Sequence, residues 1–466
     1  MKVRAIGCSL LVSTLFAVGC GSVAAEKGHD DVARIVAARS GYRTRWEKGP
    51  PADRDVERWV GELLGSGLTR RSAVEIALVN NPSLRITYED LGVSQADLVQ
   101  AGLVSNPTIA GSVGFPLGRG ETEWEGSLTE SFLDVFLLPL RKKIAKERFL
   151  VATLRVAHET LATATETRKA FAAYQAATRL VELRRTIVEA TRISADLAER
   201  QHDAGNIDDY SLTQELAARE QAELELEREE LGRATARESL NRLLGLVGPR
   251  TAWRLAESLP EIPSTDPPLH DLENVAVLER LDVSAARKEM ILFGNAVDLA
   301  KDARYFGLVE VGIHAHQDPD GARLLGPTLS LELPLFDQRQ ALIARLEAEY
   351  RQTRHRLEKV AVQARSEVRE AVANLSMARH AVERFKARLL PLRDRGVEQA
   401  QLLYNGMQLG LPQLLLAKQA QASAYREYIE TVRDYWSARA DLEMAVGGRF
   451  TRSRNAEVDR QKDEGQ

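Results

Sequence analysis

Hydrophobic residues recur every three to four positions over most of this chain and every second position in a few short runs, a pattern that predicts long helices and a small β part. Thr69 is a fitting N-cap for a helical stretch that Pro82 must break or kink and that ends near Val104. At "NPTIAGSVGF" the period drops to two, with Ile109, Val113 and Phe115 on one face and Thr108, Ala110, Ser112 and Gly114 on the other. A weaker alternating run, "EGSLTESFLDVF", follows a glycine-rich turn. From about Pro139 to Ala204 no further proline or glycine interrupts strong helix formers, and roughly 66 helical residues would span about 100 Å. Gly205 and Asn206 can supply a reversal, and a returning helix is expected to about Leu244. Five prolines between Gly248 and Pro268 exclude its continuation.

About 200 residues on, the pattern starts again: a helix of about twenty residues leads into a strand with Val309, Val311, Ile313 and Ala315 opposite Glu310, Gly312, His314 and His316. The expected partner strand, "PTLSLELPLF", sets Leu329, Leu331, Leu333 and Leu335 against Thr328, Ser330 and Glu332. A second long helix is predicted from about Gln338 to Tyr404, interrupted near Pro391 and Gly396, with a coiled-coil seam running from Leu357 through Val368, Leu375 and Val382 to Leu389 and Leu392. Gly406 and Gly410 mark a second reversal, and a last helix closes at Val446. The repeat reads as helix, β hairpin, very long helix, tip, returning helix, performed twice. Four strands cannot close a barrel, and a membrane tolerates no open strand edge, so several chains would have to pool their strands.

Composition agrees with long solvated helices: 44% hydrophobic, 28% charged and 6% aromatic residues. A formal charge of -4, with no basic stripe, gives no reason to expect nucleic acid. Lys2 and Arg4 precede a mostly apolar run from Ala5 to Val18 and then "FAVGC", the layout of a secretory signal. Ala17, Val18 and Gly19 before Cys20 resemble the lipobox of bacterial lipoproteins, with alanine where leucine is usual. Cys8 has similar neighbours but too short an apolar run ahead of it. Removal of residues 1–19 would leave Cys20 as the single, lipidated cysteine, which excludes a disulfide framework.

The signal, the N-terminal cysteine, "NNPSL", "AGLVSNP" before a strand, "PLFDQRQ" before the second long helix and the two glycine tips together resemble the TolC-like outer-membrane efflux family, over about Leu68 to Gly447. That resemblance implies a mostly α fold of two structural repeats, with long coiled-coil helices and β hairpins that trimerise into a 12-stranded outer-membrane β barrel and a periplasmic α-helical barrel. It implies a passive homotrimeric conduit of a tripartite efflux or type I secretion-like system, in the outer membrane of a Gram-negative-type bacterium, working with a periplasmic adaptor and an inner-membrane pump, needing no cofactor. The segments would be signal 1–19, lipidated segment 20–67, repeat one 68–247, connector 248–280, repeat two 281–447 and a disordered tail 448–466. The tips Gly205, Asn206, Ile207, Asp208 and Asp209, and Gly406, Met407, Leu411 and Pro412, would contact the adaptor. Relatives often carry acidic gate residues after the second tip; Leu411 to Leu415 stand there instead, so the acidic gate does not carry over.

No phosphate-binding loop, nucleophile elbow, paired CxxC or HExxH motif is present. His314 and His316 lie two apart on a strand and form only two ligands of a metal site, which makes a polar, lumen-facing pair the better reading. His202 and Asp203 read as a solvated helix end, and Glu223 to Glu230 as a solvated helix face. "VARIVAARSGYRTRW" is weakly similar to relatives found with heavy-metal pumps and assigns no cargo. The rival readings are a periplasmic adaptor, which has one hairpin and many short strands, and a coiled-coil lipoprotein scaffold.

Overall fold

The computed structural model describes residues 26–44, 50–115, 117–118, 122–266, 268–305, 307, 309–318 and 320–449; Cys20 and the segment 451–466 lie outside them. The helices are α1 (Glu26–Ser40), α2 (Pro50–Gly65), α3 (Arg70–Asn80), α4 (Pro82–Ala101), α5 (Phe132–Asp203), α6 (Asp209–Leu244), α7 (Leu272–Glu279), α8 (Leu281–Asp302), α9 (Gln340–Arg384), α10 (Leu390–Asn405) and α11 (Leu411–Ala445). The strands are β1 (Thr108–Gly114), β2 (Glu123–Ser131), β3 (Val309–Gln317) and β4 (Arg323–Leu331). The described residues fall into two compact units, one from residues 26–32, 88–156 and 284–360, the other from residues 33–87, 157–283 and 361–449.

The first unit holds an antiparallel sheet of order β1-β2-β3-β4. The central pairing of β2 with β3 joins the two repeats, with Leu128 opposite Ile313. Three sequence expectations change here. The second alternating run ends as a strand at Ser131, and its remainder belongs to the 72-residue α5, which tolerates Pro139 in its third turn. β4 begins earlier, at Arg323, and stops at Leu331, so Leu333 and Leu335 lie beyond the ladder although their alternation continues. The second long helix is interrupted by a π-helical segment, Phe385–Leu389, and not at Gly396. Pro391 lacks an N–H, and one extra residue accommodates it, with the Leu390 amide donating to Phe385 five residues back. That residue rotates the seam: Leu390 is buried and Leu392 is 58% exposed.

In the second unit the two returning helices end alike. Gly245, left-handed at φ 64°, closes α6 with its amide donating to Arg242 and that of Leu246 to Asn241, a Schellman motif. A Cβ there would collide with the backbone of Asn80. The "NNP" of the sequence explains this approach. Asn80 Nδ2 donates to the carbonyls of Leu244 (2.8 Å) and Gly245 (3.0 Å), and Asn81 Nδ2 to Leu243 (2.8 Å), satisfying the last carbonyls of α6. Asn81 Oδ1 also accepts the Leu84 amide at 3.0 Å and so caps α4. Thr69 and Ser72 form a capping box ahead of α3. A core of Leu68, Ile76, Phe171, Leu240, Leu244 and Trp253 fills the corner.

Gly447 (φ 83°) closes α11 by the same motif and packs on Glu279 and Arg280 at the α7/α8 break. Arg280 stands where Asn81 stands in the first repeat. Buried, it forks onto Asp282 (3.0 and 2.7 Å) and also pairs with Glu367. Burial disfavours the Asp282 charge, but the Arg280 guanidinium outweighs it and holds the carboxyl below its ordinary value. The connector is tied down as well. Arg379 bonds Asp266 (2.7 Å) and the Pro263 carbonyl (2.9 Å), Tyr435 donates to Asp266 at 2.6 Å, and Trp436 to the Pro260 carbonyl at 2.9 Å.

Arg280→Ala strands Asp282 and Glu367 and should cost about 3–5 kcal/mol in denaturant unfolding. Asp282 lies below the ordinary carboxylate value of about 3.9, so its stabilisation is complete above that pH and is lost as pH falls through its lower folded-state value. The difference between wild type and variant should therefore shrink on acidification, which unfolding midpoints measured from neutral to acid pH will show.

Candidate functional site

Alternation along the four strands sorts their side chains into two unlike faces. Cross-strand partners share a face, so the pairs Ile109–Leu128, Leu128–Ile313, Val311–Leu329 and Ala315–Leu325 make one continuous apolar surface. Ile109 is 82% exposed and Leu329 72%, and contiguous exposed apolar side chains mark a surface that meets a partner or a membrane. At one end the apolar face finishes in a polar and aromatic row, where Trp124 Nε1 and Arg323 Nε both donate to Gln317 Oε1 at 3.1 Å. The opposite face carries Thr108, Ser112, Glu125, Ser127, Glu310, His314, His316 and Ser330. The outer edges of β1 and β4 have no strand partner among the described residues. Among the described residues no helix is long and apolar enough to cross a membrane.

His314 and His316 do share the polar face. His314 Nε2 lies 2.9 Å from Glu125, 189 positions away in sequence, and His316 Nε2 lies 3.5 Å from Asp318. Among the described residues no group of three or more His, Cys, Asp or Glu is arranged to hold a metal ion. A cavity of about 730 Å³ in the second unit is lined by Asn81, Glu166, Lys169, Arg242 and Arg433. Its lysine is paired with Glu166 (3.1 Å) and Asp441 (3.0 Å).

Both predicted reversals are present in the second unit, and they are built differently. At the first, Gly205 is left-handed (φ 73°), with its amide donating to His202 and that of Asn206 to Gln201. Asp208 then caps α6 by accepting the Ser211 amide at 2.8 Å, and the bonds from Ser211 hold its carboxyl below the usual range. His202 Nε2 reaches Asp209 at 2.7 Å, so this helix end is tied rather than merely solvated. At the second, the left-handed residue is Met407 (φ 57°), with Gly406 at an ordinary φ of -82°. The Met407 amide donates to Tyr404 and that of Gln408 to Leu403, the same motif with methionine where glycine is favoured. Met407 is 95% exposed. Gly410 is the residue before α11, where Leu411 and Pro412 begin the helix.

One further expectation changes. The run Glu223 to Glu230 is not only a solvated face: Glu223 pairs with Arg192 (2.9 Å), Glu225 with Arg184 (2.5 Å) and Glu230 with Arg185 (2.7 Å) across the α5/α6 hairpin. Glu229 is 3.6 Å from Arg426 of α11. Charge counting along one helix missed these pairs because the partners lie 31 to 45 positions away, on a helix whose register only the reversal fixes.

Residues 73–246 match the sequence model of the outer membrane efflux protein family. No curated protein sequence matches the chain. Among solved structures, a membrane protein from Pseudomonas aeruginosa is 21% identical with a TM-score of 0.72 over 81% of this chain and 92% of that one. The Campylobacter jejuni CmeC outer membrane channel is 15% identical (TM-score 0.72, 89% and 92% covered). The outer membrane protein VceC of Vibrio cholerae is 19% identical (TM-score 0.68, 82% and 97% covered). The chain has the fold of these proteins.

Gly205→Val forces a β-branched residue left-handed and should cost about 1–2 kcal/mol. Gly406→Val should cost less than about 1 kcal/mol, and Met407→Gly should stabilise by up to about 1 kcal/mol. Unfolding midpoints of the three variants in one detergent will test the order.

Proposed function

We propose that this chain, whose residues 73–246 match the outer membrane efflux protein family, is the outer-membrane channel of a tripartite efflux assembly. The reading rests on the sheet: four strands with one apolar and one polar face, and two edges unpaired among the described residues, suit a wall that lipid touches on one side and water on the other. In this reading β4 of one copy pairs with β1 of the next, three copies close a 12-stranded barrel, and the polar face lines the bore. The helices continue the conduit into the periplasm, where the tips meet an adaptor that links the channel to an inner-membrane pump. Cys20 would carry a lipid that tethers each chain to the outer membrane. Conduction breaks no bond, so the reading asks for no catalytic group. A periplasmic adaptor would need one hairpin and many short strands, and an inert scaffold would not need an exposed apolar sheet face.

The protein should fractionate with outer membranes and run as a trimer in detergent; a monomer that stays in aqueous solution after signal removal would sink the channel reading. Leu329→Arg, on the apolar face, should cost about 2–4 kcal/mol of insertion and deplete the membrane fraction, whereas Ser330→Arg next to it should insert normally. Cys20→Ser should abolish lipid labelling and leave barrel insertion at least partly intact.

A further inference from the structure

The two helical hairpins repeat one burial pattern just above their tips. Residues 212–218 of α6 and 411–417 of α11 alternate between exposed, intermediate and buried in the same order, and the single buried place is Glu215 in one and Leu414 in the other. Leu414, 3% exposed, is an ordinary apolar seam residue. Glu215 is 1% exposed, and neither of its carboxyl oxygens has a hydrogen-bond partner among the described residues. The pairs His202–Asp209, Glu199–Arg219 and Arg192–Glu223 set the register of α5 against α6. That register brings Glu215 level with Ala198 and, one turn on, Ala195, both buried and both without a polar side-chain atom. Arg219, one turn along α6, is turned to Glu199 and Glu220 instead.

A buried carboxyl without a donor loses hydration and gains nothing in return, and an alanine layer supplies less apolar contact than a leucine would. Both effects weaken the closed state of the first hairpin relative to an opened one in which water reaches Glu215, and the solvent-exposed pairs His202–Asp209 and Glu199–Arg219 that bridge α5 and α6 there offset little of this. The second hairpin has neither defect: its seam position is filled by Leu414, and Asp394 above it accepts bonds from Gln421 (2.9 Å) and Tyr425 (3.2 Å), tying α10 to α11. We propose that the tip of the α5/α6 hairpin is a built-in opening segment, in which the first turns of α6 peel from α5 while the α10/α11 tip stays closed. Its use at the channel entrance rests on the function proposed above; the local opening itself does not.

Amide hydrogen exchange of the detergent-solubilised full-length protein tests this. Residues 215–221 should exchange at least about tenfold faster than residues 414–420, because the lower opening free energy is local to the first hairpin. Glu215→Leu should slow the first hairpin to the rate of the second and leave the second unchanged. Equal rates in the wild type, or a first hairpin unaffected by Glu215→Leu, overturn the proposal. Pump-dependent export separates the entrance role: a Glu215→Leu protein that shows slowed exchange, normal membrane insertion and undiminished export overturns that role. Export that never depended on the wild-type chain would instead count against the channel reading and leave the exchange result standing.

Discussion

A helix must satisfy its last carbonyls, and in this chain each returning helix does so by ending on the break between two other helices. Gly245 can lie on Asn80 because it lacks a Cβ, and the paired asparagines then satisfy the carbonyls of residues 243–245. Gly447 lies on Glu279 and Arg280 in the same way. Each break fixes where α4 or α8 starts, and each of those helices leads into the first strand of a hairpin. The two junctions solve one geometric problem with different chemistry, neutral amides in the first repeat and a buried arginine between carboxylates in the second. The second solution has the higher desolvation cost and therefore the sharper dependence on intact partners.

Periodicity made the helices, the β hairpins and the repeat legible, because it reports which face of an element is buried and needs no knowledge of the partner. Thr69 and Pro82 were readable for a similar reason: capping and the missing proline N–H act within a few residues. Features set by a distant partner were not readable. The roles of Asn80 and Asn81 depend on a helix end more than 160 positions away, and the Glu125–His314 contact on a strand 189 positions away. The end of β4 was misjudged because Leu333 and Leu335 keep alternating after the ladder stops at Leu331. At the second tip the glycines mark the reversal, but its left-handed residue is Met407, next to Gly406, and periodicity does not single it out.

The sheet shows how local rules add up to a collective property. No strand has enough apolar residues to mark it as a membrane segment by itself. Once the ladders align β1 through β4, the apolar positions fall together and the polar row of Trp124, Gln317 and Arg323 closes one end of them. The pairing of β2 with β3 makes this surface common to both halves of the chain. A one-residue slip at that seam would turn one hairpin inside out relative to the other.

The π-helical segment has a geometric consequence for the second tip. An additional residue in one turn advances everything after it by about 100° about the helix axis, so Phe385–Leu389 sets the azimuth at which Met407 is displayed. A deletion within those five residues would restore regular winding and swing the methionine through more than a quarter of a revolution. The orientation of this corner is thus encoded upstream, by Pro391, 16 positions before Met407.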